Sequence, residues 1–179
     1  MSQLKVNSIV PAGGLPSGAT GGGIIQIVQT KKSDTASNST SSGAAWDVSS
    51  IFSVSITPSL NSSVILLLGT INTASSSTMP NFMSITRNGS IATNMVGDAD
   101  GSRIRASAGG YYGHLSVIES QHFSFIDTPA STSSQTYSLQ LRHDSGSSKT
   151  LYLNRSNGDG NSAQVGRFIS SLTAMEIGV

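Results

Sequence analysis

The residues that could catalyse a reaction or bind a metal ion are few and scattered. His114, His122 and His143 lie in separate segments, without H-x-x-x-H or H-E-x-x-H spacing. The chain has no cysteine, which excludes disulfides, thiol nucleophiles and cysteine-ligated metals. No G-x-S-x-G motif singles out one of the many serines as a nucleophile. These residues therefore predict neither a catalytic triad nor a metal site.

Most Asp and Glu residues in the middle of the chain lie in sequences that favour turns rather than catalysis or metal binding. Residues 98–101 (DADG) and 157–161 (NGDGN) combine oxygen ligands with glycine, as calcium loops do, but neither has the twelve-residue pattern with a closing Glu. In the middle of the chain, Glu119 is the one carboxylate outside a turn sequence, whereas glycosidases need a pair across a cleft. Turn formation explains the others. We expect a protein that is not an enzyme and has no cofactor.

One stretch is rich in residue types that are common at binding hot spots. It stands out because only 11% of the chain is charged. Its members are Arg103, Arg105, Tyr111, Tyr112 and His114. Aromatic rings can stack on sugar rings, so this stretch is a candidate contact with a surface glycan or protein. The alternative is that the tyrosines pack in the core while the arginines are solvated.

Short strands are the elements expected to position these residues. Phe52, Val54 and Ile56 alternate with serines, which is the period of a half-buried strand. Further strands are predicted at 24–28, 82–87, 91–96, 103–106, 111–118, 122–126, 137–141, 149–154 and 168–177. Residues 88–89 (NG) suit a type I′ hairpin turn, and residues 31–45 are expected to be an exposed loop. This spacing predicts an all-β chain folded as an antiparallel β-sandwich or jelly roll.

Two segments are apolar on both faces. Residues 64–68 (VILLL) have no polar position, and in the last segment Leu172 and Met175 lie on opposite faces. A sandwich buries one face of each sheet, so a neighbouring subunit or a covering loop must shield the other. The predicted subunit-interface residues are Ile65, Leu67, Leu172, Met175 and Ile177.

Residues 1–23 are predicted to form an extended N-terminal segment, followed by one β domain at 24–179. Pro11, Pro16 and several glycines exclude a regular helix or central strand. The segment nevertheless carries an apolar cluster formed by Leu4, Val6, Ile9 and Val10. We expect this cluster to attach to a partner, and the alternative is that it packs on its own domain.

Charge and hydropathy exclude other classes. The net charge is +1 and the densest basic pair is Lys31–Lys32, so we expect no nucleic-acid binding. The longest apolar run, residues 64–68, is too short to cross a bilayer, and we expect neither membrane insertion nor a signal peptide.

Two sets of motifs resemble proteins of tailed bacteriophages. Residues 4–9 (LKVNSI), followed by glycines and by residues 22–26 (GGIIQ), are similar to N-terminal attachment segments of fibre and virion structural proteins, notably those of cyanophages. Residues 56–58 (ITP), 125–129 (FIDTP) and 172–177 (LTAMEI) resemble their β-sandwich heads. The resemblance implies a trimeric jelly roll with a tumour-necrosis-factor-like outline and its terminal strands near the three-fold axis. Because the chain has no coiled-coil heptads and no β-helix repeats, a short fibre, a tail tip or a capsid-bound spike is expected rather than a long fibre.

The resulting hypothesis is a virion structural protein, made in the host cytoplasm. It would be a short trimeric fibre or spike subunit, held by other virion proteins through its N-terminus and contacting a host surface glycan or protein. The alternative is a capsid decoration protein that stabilises the shell. A polysaccharide-degrading spike is a third, minor hypothesis.

Overall fold

The computed structural model describes residues 23–163 and 165–178. Its strands are β1 (Ile24–Lys32), β2 (Ala36–Thr40), β3 (Trp46–Asp47), β4 (Val54–Ile56), β5 (Val64–Ser75), β6 (Met79–Arg87), β7 (Ser90–Ile91), β8 (Ala108–Tyr112), β9 (Glu119–Asp127), β10 (Gln135–His143), β11 (Lys149–Leu153) and β12 (Ser170–Ile177). The described residues contain one 3-10 helix, Thr93–Met95, and no α-helix. The all-β prediction is confirmed.

The strands form two antiparallel sheets that pack face to face as a β-sandwich. Sheet I has the order β1-β12-β5-β11-β2, and β9 pairs with the other side of β5. Sheet II has the order β3-β10-β6-β7, with β4 also pairing with β10 and β8 also pairing with β6. Side chains from both sheets form one buried apolar cluster. The antiparallel sandwich predicted from the sequence is therefore present.

The core is formed by the side chains that alternate onto the inner face of each strand. On β5, Ile65, Leu67 and Ile71 point between the sheets and are at most 2% exposed. On β10, Tyr137 and Leu139 face them from sheet II and are equally buried. Because successive side chains leave a strand on opposite faces, the intervening positions of both strands point away from the core.

The pairing register defines two ends of the sandwich. Ile24 pairs with Ile177 and Ile177 with Val64, so β1 and β5 begin where β12 ends. We call this the proximal end, because β1 is entered here from residues 1–22. The opposite, distal end carries the loops at 33–35, 76–78, 113–118 and 144–148.

Some predicted boundaries are wrong. The expected loop at 31–45 contains β2, which pairs along its whole length with β11. Ser37, Asn38 and Ser39 of β2 are exposed and polar, so no apolar alternation marked this edge strand. The predicted strand at 111–118 ends at Tyr112, and residues 113–118 form a loop. The predicted strand at 91–96 stops at Ile91.

The hairpin turn between β6 and β7 is confirmed. Asn88 and Gly89 both have positive φ, 52° and 81°, as a type I′ turn requires. The Asn88 side chain accepts a hydrogen bond from the Thr136 backbone N–H at 2.8 Å. This contact fastens the turn to β10.

A buried carboxylate on β9 joins the two sheets. Asp127 is 1% exposed, and Arg87 of β6 donates to both of its oxygens at 2.8 and 3.0 Å. The Tyr137 hydroxyl of β10 donates at 2.7 Å, and Asn94 of the 3-10 helix donates at 3.0 Å. Burial by itself raises the pKa of Asp127, but the hydrogen bonds from Tyr137, Arg87 and Asn94 outweigh it and hold this pKa below its ordinary value.

A second buried carboxylate lies in the same cross-strand row of sheet I. Glu176 and Asp127 flank Ile65, and Glu176 is fully buried. Its oxygens accept hydrogen bonds from Gln26 at 2.6 Å, from the Ser59 backbone at 2.6 Å and from the Ser63 hydroxyl at 2.8 Å. Burial raises the pKa of Glu176, and these bonds lower it to a net value below the ordinary one. The carboxylate thus ties β1 and the 57–63 loop to β12.

We predict that acid weakens the fold. The folded-state pKa values of both carboxyls lie below the ordinary values of 3.8 for Asp127 and 4.5 for Glu176. Such groups contribute stability that is complete above the ordinary pKa and is lost as pH falls through the folded-state pKa. The free energy of unfolding, measured by urea titration at a series of pH values, should fall below about pH 4.5.

The variant Asp127→Asn supplies the control. It should lower the free energy of unfolding by about 3 kcal/mol at pH 7, because Arg87 loses its buried partner. The difference from the wild-type chain should shrink as the pH approaches 3. A wild-type stability that stays constant from pH 5 to pH 3 would contradict the role of these carboxylates.

Candidate functional site

The segment that carries Arg103 and Arg105 is an irregular loop beside β6, so the strand predicted at 103–106 is wrong. Ser107 donates its backbone N–H to Met83 at 2.7 Å and accepts the Ile85 N–H on its hydroxyl at 2.9 Å. The carbonyl of Arg105 accepts a hydrogen bond from the Ser84 hydroxyl at 3.1 Å. Side-chain hydroxyls thus take the place of a regular ladder and hold the loop against sheet II.

The two tyrosines of the candidate stretch point in opposite directions. Tyr111 is 58% exposed, whereas Tyr112 is 3% exposed and donates its hydroxyl to Thr73 at 2.8 Å inside the sandwich. Burial raises the pKa of Tyr112. Neighbouring residues of one strand cannot share a face. The assignment of Tyr112 as a receptor contact is therefore wrong, because its side chain belongs to the core.

The two arginines line a common pocket. Arg103 forms an ion pair with Asp100, and the Arg105 Nε donates to the Gly97 carbonyl at 2.6 Å. The pocket between this loop and strands β6 and β8 has a volume of about 410 Å³. Its lining residues are Phe82, Gly97, Asp98, Asp100, Arg103, Ile104, Arg105, Ala106, Ala108 and Gly109.

Tyr111 and His114 are exposed but do not line this pocket. Tyr111 is two positions along β8 from Gly109 and lies on the same outer face. His114 lies in the distal loop at 113–118, where its Nδ1 accepts the Ser116 backbone N–H at 3.1 Å. The structure therefore brings Arg103 and Arg105 together, with Tyr111 on the neighbouring surface and His114 farther towards the distal end.

The predicted subunit interface divides between the two faces of sheet I. Ile65, Leu67 and Leu172 are 0–2% exposed and point into the core, so assigning them to a subunit interface is wrong. Met175 and Ile177 are half-buried and point outwards. In a run without polar residues, the sequence shows that both faces are apolar but does not show which face is turned inwards.

The outer face of sheet I carries an apolar surface that sequence reasoning located only in part. Met175 pairs with Ile27 on one side and with Leu66 on the other, and Leu66 pairs with Ile126. Ile27 and Ile126 are 57% and 58% exposed. The three proximal rows of this surface are Ile24–Ile177–Val64, Ile27–Met175–Leu66–Ile126 and Gln29–Thr173–Leu68–Ser124.

These three rows, which we call the sheet I outer surface, contain no charged side chain. The next row towards the distal end contains Lys31 and His122, and the Thr70 hydroxyl lies 3.1 Å from the His122 Nδ1. The 64–68 run marked this strand as apolar on both faces, but its sequence does not show that Val64, Leu66 and Leu68 are the outward positions. Ile126 carries no distinguishing signal, because Phe125 beside it is apolar as well.

Leu4, Val6, Ile9 and Val10, the predicted attachment cluster, lie outside the described residues. Within the described ranges, no group of three or more His, Asp or Glu side chains is placed to hold a metal ion. The same ranges contain no helix long and apolar enough to cross a membrane.

No protein-family model matches this chain, and no curated protein shows significant similarity to it.

Tyr111 and Tyr112 give a matched pair of variants. Tyr112→Ala should lower the free energy of unfolding by about 3–5 kcal/mol, because it leaves a cavity in the core. Tyr111→Ala should change it by less than about 0.5 kcal/mol, because its ring is exposed. Chemical denaturation of the two variants measures the difference. Equal losses would contradict the inward orientation of Tyr112.

Proposed function

We propose that this chain is a non-enzymatic structural subunit of a virus particle, a short trimeric fibre or spike. Residues 1–23 are held by other virion proteins, and sheet II and the distal loops face outwards to contact the host surface. The observation that carries this proposal is the uncharged sheet I outer surface, whose first two rows are entirely apolar. Contiguous apolar surfaces of this kind mark interaction sites on folded proteins.

A second copy of the chain is the occupant that best suits this surface. The surface offers no charged group that would select a charged partner, and most oligomers of soluble proteins are closed, symmetric assemblies of identical chains. Its first two rows come partly from β1 and β12, the first and last strands of the described chain. This agrees with the resemblance to phage heads, which implies terminal strands near a three-fold axis.

The strand order gives further support. Sheet I contains the path β1-β12-β5-β9, and sheet II contains β4-β10-β6-β8. In a jelly roll, the chain likewise moves between two four-stranded sheets so that the first and last strands become neighbours. This order supports a jelly-roll head with a tumour-necrosis-factor-like outline.

The two ends of the sandwich suit different roles, with attachment to the particle at the proximal end and host contact at the distal end. Residues 1–22 join β1 at the proximal end, next to the two apolar rows of the sheet I outer surface. The distal loops lie at the opposite end, and the pocket with Arg103 and Arg105 lies on the outer side of sheet II. A trimer packed through sheet I would therefore leave the candidate host contacts accessible.

A carboxylate on the sheet I outer surface should dissociate the trimer. The wild-type chain should have three times its 18.4 kDa mass in light scattering at micromolar concentration. Ile126→Glu and Met175→Glu should both have the monomer mass, because association would bury an unpaired charge. Gln140→Glu, on the outer face of sheet II, is the matched control and should remain trimeric. A wild-type monomer would refute the assignment of this surface to self-association.

Removal of residues 1–22 should separate folding from attachment. The truncated chain should keep the oligomeric state and the denaturation profile of the wild-type chain but be absent from purified particles. Leu4→Asp combined with Ile9→Asp should have the same effect, because charge opposes apolar docking. Incorporation of the truncated chain would exclude the attachment role. In particles made with the wild-type chain, copy number distinguishes a tail fibre, present in few copies, from a capsid decoration protein, present in many.

A further inference from the structure

The pocket beside β6 combines features that together define a ligand class. Phe82 is half-buried on the outer face of sheet II, where it pairs with Gly109 of β8. Phe82 and Ile104 give the pocket an apolar side. Gly109 is required here by a close backbone approach, because an added Cβ would come within 2.7 Å of the Asn81 carbonyl oxygen. A flat ligand with one apolar face could lie against this side of the pocket.

The polar side of the pocket is balanced in charge. Asp98 and Asp100 contribute two carboxylates, and Arg103 and Arg105 contribute two guanidinium groups. Their formal charges cancel, and Arg103 is already paired with Asp100. A free anion or cation would therefore be repelled by two of these groups as well as attracted by the other two. A neutral ligand that both donates and accepts hydrogen bonds suits this arrangement better.

Asp98 is the polar group that remains available. Asp98 lines the pocket and is exposed, and its carboxylate makes no hydrogen bond or ion pair with any residue in the described ranges. By contrast, Arg105 is held in place by the Gly97 carbonyl. A carboxylate can accept hydrogen bonds from two neighbouring hydroxyl groups, which is the pattern that a sugar ring presents.

We infer that this pocket binds a neutral saccharide. A pyranose ring places its C–H face on Phe82 and Ile104 and donates hydroxyl groups to Asp98, while Arg103 donates to its oxygens. A volume of about 410 Å³ holds a ring of this size. The inference deepens the host-contact part of the proposed function and rests on it for the biological role, but binding itself needs only one subunit.

Saturation-transfer NMR and calorimetry on the full-length chain test this inference. The probes are galactose, glucose, mannose and N-acetylglucosamine, with inorganic phosphate as the anionic comparison. At least one sugar should bind with a Kd on the order of 1 mM, as expected for a ligand with so few atoms. Absence of binding by all four sugars, or tighter binding of phosphate, would overturn the inference.

Two variants test whether the sugar binds in this pocket. Gly97 lines the pocket, and Gly97→Val should weaken binding by adding bulk at its rim, while an added Cβ that meets no atom within 4 Å leaves the fold undisturbed. Asp98→Asn should weaken binding by about tenfold or more, through loss of charge-assisted hydrogen bonds. Unchanged affinity in both variants would show that the sugar binds elsewhere and would reject the pocket.

Gly113→Val and Asp144→Asn are the matched controls and should bind like the wild-type chain. Gly113 also has open space around it and lies outside the pocket, and Asp144 is an exposed carboxylate in a distal loop. Light scattering on the same samples keeps the two proposals separate. Sugar binding by a monomeric chain would support the sugar site and contradict the proposed trimer. A trimer that binds no sugar would support the trimer and contradict the sugar site.

Discussion

The structure depends on the first part of β5, residues 64–68, being apolar on both faces. Its odd positions, such as Ile65 and Leu67, form the core with sheet II, and its even positions, such as Leu66, are left on the outside of sheet I. A two-sheet sandwich covers one face of each sheet, and hydrophobic burial has no preferred direction. The central strand that stabilises the subunit therefore also produces a surface that a second copy can cover.

Two buried carboxylates hold this surface in shape. Asp127 and Glu176 flank Ile65 in one cross-strand row, on the strands to either side of β5. Apolar contacts tolerate small shifts, whereas hydrogen bonds require particular distances and angles. Those from Arg87 and Tyr137 fix β9 against sheet II, and those to Glu176 fix β12 against β1 and the 57–63 loop. The proximal part of sheet I is thus held where residues 1–22 join it.

The two sheets differ in what their outer faces can recognise. The sheet I outer surface is uncharged and its first two rows are apolar, which suits burial against other copies of the chain in the proposed trimer. On sheet II, the loop before β8 adds arginine and aspartate beside Phe82, and a polar ligand can be held there by oriented hydrogen bonds. The self-association and the host contact proposed above would therefore occupy opposite sides of one subunit without competing.

The sequence by itself determined the all-β class, most strand positions, the hairpin turn at Asn88 and the presence of segments apolar on both faces. It did so because these features depend on local alternation and on backbone preferences. Only the tertiary structure decided which residues face inwards, since the phase of 64–68 is set by pairing with β9 and β12. It also placed Tyr112 in the core and made the polar segment β2 a strand by pairing it with β11. In addition, it brought Asp98 and Arg105 close to Phe82. Such long-range pairings leave no local pattern in the chain.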